Sequence, residues 1–60
     1  MTIEEAIKIL DPETTRQALA EIEYYAGFRG QEAKIEAVNE ACMVAVDIMR
    51  KYASEHSDKE

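Results

Sequence analysis

QEAKIEAVNEACMVAVDIMRKYA, residues 31–53, is the stretch on which the fold turns. It contains neither Gly nor Pro and is rich in Ala, Glu, Met and Lys, residues that lose little freedom in a helix. Ile35, Val38, Cys42, Ala45, Met49 and Tyr52 recur at alternating spacings of three and four, the a/d pattern of a helix that packs along a seam. At about 100° per residue, Ala37, Ala41, Val44 and Ile48 fall on one flank. The six seam residues and Val46 fall on the adjoining flank. The apolar arc therefore spans roughly 200°, whereas a helix covering a core on one side needs a stripe somewhat over 100°. One flank can pack on the rest of the chain, and the other needs a second partner. A symmetric copy is the expected partner, because two-fold homo-oligomers dominate among oligomers. Two helices lying at an angle across both flanks would be the alternative.

Outward from this stretch the chain is punctuated for two more helices. Thr2 followed by Glu5 has the form of a capping box, and Ile3, Ala6, Ile7 and Leu10 then share one helical face. Asp11-Pro12-Glu13 follows, with Asp11 able to cap, Pro12 suited to a first helical position and Glu13 complementing the helix dipole. The next stripe reads Thr15, Ala18, Leu19, Ile22 and Ala26, with Tyr25 on its edge. Gly27 can end this helix in a left-handed conformation, and Phe28 can fold back onto the last turn. The expected fold is all-α. It has three helices at about 3–10, 12–26 and 31–53, forming a helical hairpin with a long C-terminal helix and assembling into a homo-oligomeric bundle. Residues 1–53 form one domain, and 54–60 are read as a polar, fraying tail.

Sixty residues bury too little surface for a robust single-chain core. The usual supplements are disulfides, a metal or oligomerisation. One cysteine and one histidine offer neither an intrachain disulfide nor a zinc site, so oligomerisation remains. Seven Lys and Arg against thirteen Asp and Glu give a net charge of −6, which disfavours nucleic acid and anionic membranes as partners. The longest apolar run, Ala41 to Val46, is far short of the roughly 20 residues of a membrane span. No secretory signal is visible in the opening residues, and a cytoplasmic setting is expected.

Two surfaces are candidate partner sites. Glu32, Glu36 and Glu40 lie opposite the apolar arc as mutually repulsive i, i+4 neighbours, a local cost that a basic partner would relieve. Tyr24, Tyr25, Phe28 and Arg29 cluster at the hairpin end and include the residue types enriched in binding hot spots. Alternatively, Tyr24 covers the hairpin turn and Phe28 completes the helix cap. Catalytic chemistry has no visible basis, and neither a cofactor nor a metal is expected. Cys42 reads as a buried, inert thiol in the seam, and His56 has no neighbour to fix it. Gly27-Phe28-Arg29-Gly30 lacks the strand and lysine of a phosphate loop. Helices 2 and 3 could imitate a helix-turn-helix, but Glu32, Glu36 and Glu40 give the reading helix the wrong charge.

Thr2-Ile3-Glu4-Glu5-Ala6-Ile7, followed by the Asp11 to Leu19 segment DPETTRQAL, resembles the start of short phage and prophage proteins of Gram-positive gut bacteria. The resemblance covers about the first third of the chain. It implies a small acidic protein that binds and blocks a larger host protein, including nucleic-acid-handling immune enzymes, and it brings no catalytic residues with it. The expected function is a homo-oligomeric, dimeric adaptor or inhibitor acting on a host protein. The second expectation is a small structural or regulatory subunit whose long helix is buried against an unlike chain.

Overall fold

Helix α1, Ile3–Leu10, opens with the capping box that the sequence implies. In the computed structural model, which describes residues 1–56, the Thr2 hydroxyl accepts the Glu5 N–H at 3.1 Å. The Glu5 carboxylate in turn accepts the Thr2 N–H at 2.8 Å. Asp11 ends α1 in an extended conformation (φ −72°, ψ 122°), as a residue before proline must.

The second helix, α2, spans Thr15–Ala26 and starts later than the expected residue 12. Asp11 is the cause. Its carboxylate accepts the Glu13 N–H at 2.9 Å, and its carbonyl accepts those of Thr14 (3.0 Å) and Thr15 (2.8 Å), which winds residues 12–14 into a tight turn. Thr14 does not cap α2 with its side chain. Its hydroxyl donates instead to the Lys8 carbonyl at 2.7 Å, tying the start of α2 to the last turn of α1.

Gly27 breaks α2 with φ 64° and ψ −128°, a conformation open essentially to glycine alone. A single 3-10 turn, Gly27–Arg29, leads into α3, Gly30–His56. Gly30 is buried at the crossing of the two helices, where a Cβ would lie 2.6 Å from Glu23 Cγ and 3.1 Å from the Glu23 carbonyl oxygen. Glu23 then accepts from Gln31 at 3.1 Å and from Lys34 at 3.4 Å, closing α2 against α3 as the expected hairpin. Helix α3 is longer than the expected 31–53. Ser54, Glu55 and His56 continue it, where a fraying tail was expected, and residues 57–60 of that tail lie outside the described residues.

The fully buried hydrophobic cluster is small: Ala6 and Ile9 of α1 meet Ala41 of α3. Ala18, Leu19 and Ile22 of α2 and Ala37, Val38 and Val44 of α3 pack around it, all half-buried. This corrects two expectations. In α1 the buried pair is Ala6 and Ile9, while Ile3 and Ile7 of the expected stripe are 56% and 55% exposed. In α2 no residue is fully buried. The reason is scale. Helices of 8 and 12 residues are about 12 and 18 Å long, against about 40 Å for the 27 residues of α3. The molecule is accordingly a rod of 48 × 20 × 15 Å.

Gly27→Ala tests the hairpin. Nothing lies within 4 Å of the added Cβ, so the whole effect is backbone strain at positive φ. The variant should lose about 1–3 kcal/mol of stability in urea unfolding, and an unchanged midpoint would show that the turn tolerates a side chain.

Candidate protein-binding surface

Most of the large apolar side chains among the described residues are exposed to solvent. The expected seam divides on folding: Ile35 (62% exposed), Met49 and Tyr52 point to solvent, whereas Val38 and Ala45 are half-buried and Val38 packs on the chain's own core. Cys42, expected to be buried, is exposed, because α1 and α2 both approach α3 from the Ala41 side. The exposed stripe thus runs along α3 beside the covered flank.

Two grooves open onto this stripe. Ala45 and Met49, with Val44 and Ile48, form the floor of a cleft of about 450 Å³ whose wall is Ile3, Ile7 and Leu10 of α1. Towards the hairpin, Ile35 and Val38 line a second groove of about 300 Å³ with Leu19 and Lys34. The sequence pattern of α1 marks Ile3, Ile7 and Leu10 as one apolar face. It does not reveal that most of that face stays outside the core.

At the hairpin end Tyr24 and Tyr25 meet edge to face, with ring centroids 5.2 Å apart, and both are largely exposed. Phe28 is 100% exposed. It does not fold back on α2, because the Gly27 conformation directs the chain away from the last turn. Tyr24 likewise does not cover the turn. Arg29 pairs with Glu32 at 3.2 Å, both of them exposed.

No family model, curated protein or solved structure matches this chain. The resemblance of its first third to short phage proteins gains no support from these comparisons. Among the described residues no group of three or more His, Cys, Asp and Glu is placed to hold a metal ion. No helix there is long and apolar enough to cross a membrane.

The acidic face is less strained than its spacing suggests. Glu32 is drawn to Arg29, and Glu40 accepts from the Met1 amino group at 2.7 Å. Only the middle carboxylate of the three, Glu36, is left without an ion pair among the described residues. The hydrogen bond from Met1 to Glu40 and the attraction between them hold the amine above its ordinary pKa of 8.0. Hydrogen bonds from the Thr2 backbone and hydroxyl hold the Glu5 carboxyl below its ordinary value.

Both shifts can be tested by pH. A raised amine pKa gives stability that is complete below pH 8 and is lost as the pH climbs through the raised value. The Glu5 contribution has the opposite sense, being present above its ordinary pKa of 4.5 and lost on acidification. Thermal unfolding followed by circular dichroism should show a stability decline from pH 8 upward that is absent in Glu40→Gln. The same decline in the variant would exclude the Met1 pair as its source.

Proposed function

We propose that this chain is a protein-binding module that self-associates along α3 and acts as an adaptor or inhibitor on a larger protein. The observation that carries this reading is the ratio of exposed to buried apolar residues. Among the described residues thirteen large hydrophobic side chains are exposed, while the buried hydrophobic cluster contains Ala6, Ile9 and Ala41 alone. Complete burial of Ile9 contributes about 1.5–3 kcal/mol, and two alanines add little. Ordering each backbone residue costs about 1–2 kcal/mol, so a chain built this way gains from covering its exposed stripe with another chain. Extended exposed apolar surface is also the usual mark of an interaction site.

The division of labour follows from position. Met49, Cys42 and Ile35 lie on the long helix, where a like helix can pack. Tyr24, Tyr25, Phe28 and Arg29 project at the hairpin end, with Glu32 and Glu36 adjoining, and form the surface for the larger partner. The resemblance of residues 2–19 to phage proteins directs the search for that partner to bacterial host proteins.

Met49→Glu and Ile35→Glu test self-association without touching the core, since both residues are mostly exposed in the single chain. Each should convert an oligomer into a monomer in sedimentation, because an unpaired charge in an apolar seam is costly to bury. An unmodified chain that sediments as a folded monomer at high concentration sinks the self-association reading. A chain that remains poorly folded until a partner is supplied would favour a subunit buried against an unlike chain.

Binding kinetics separate the two parts of the partner surface. Phe28→Ala should raise the dissociation rate about 30-fold if the ring is a 2 kcal/mol anchor. Glu36→Gln should slow association at low salt, because charge chiefly governs encounter. Unchanged rates in both variants would remove the hairpin end from the interface.

A further inference from the structure

We draw no further inference here: the strongest candidate, the groove of about 650 Å³ that α1 and α2 line together with Ala33 and Ala37 of α3, carries nothing because Glu5 and Glu21 share it with Lys8, so that its charges select no partner, and nothing in the structure shows what covers it.

Discussion

The length of α3 against its partners governs everything else in this fold. A helix of about 40 Å is met by helices of about 12 and 18 Å, and they converge on Ala41, the one fully buried hydrophobic side chain of α3. A larger side chain there would hold α1 away. Because Ala6 supplies the facing surface, the close approach is made with little apolar volume, and the exposed stripe is the direct result. Beyond the cleft that α1 walls, residues 50–55 of α3 are exposed.

Polar interactions set the angle at which those short helices lie. Asp11 and Thr14 fix the corner between α1 and α2 through four hydrogen bonds, three to Asp11 and one to the Lys8 carbonyl. Glu23 fixes the opposite corner through Gln31 and Lys34, and Met1 fastens the free end of α1 to Glu40. Exposed ion pairs contribute little stability individually. They join the helices at their ends, with Ala6 and Ile9 of α1 against Ala41 and with Ile3 and Ile7 in the groove.

Much of the secondary structure was legible in the sequence because it rests on local chemistry. The capping box at Thr2 and Glu5, the Asp11-Pro12 boundary, the Gly27 break and the unbroken α3 all follow from neighbours within one turn. The orientation of side chains beyond that range was not legible. Ile9 in place of Ile3 and Ile7 as the buried residue depends on the crossing of α1 over α3, which periodicity alone does not set. The outward course of Phe28 depends on the ψ of Gly27, and a glycine permits several values. Cys42 looked buried because the a/d pattern marks a seam without saying whether the covering helix belongs to the same chain. The acidic face looked strained because the Met1 amino group is distant from Glu40 in sequence.

The placement of the aromatic rings also decides what light can report about this protein. It has no tryptophan, and Tyr24, Tyr25 and Tyr52 are 79%, 84% and 65% exposed in the single chain. Because these phenols are already mostly exposed in the lone chain, unfolding it changes their contact with water less than burial under another chain would. Burial of Tyr52 by another helix, or of Tyr24 and Tyr25 by a larger partner, moves them into an apolar medium. The intrinsic optical signal of this protein is therefore a gauge of association, while its backbone dichroism remains the gauge of folding.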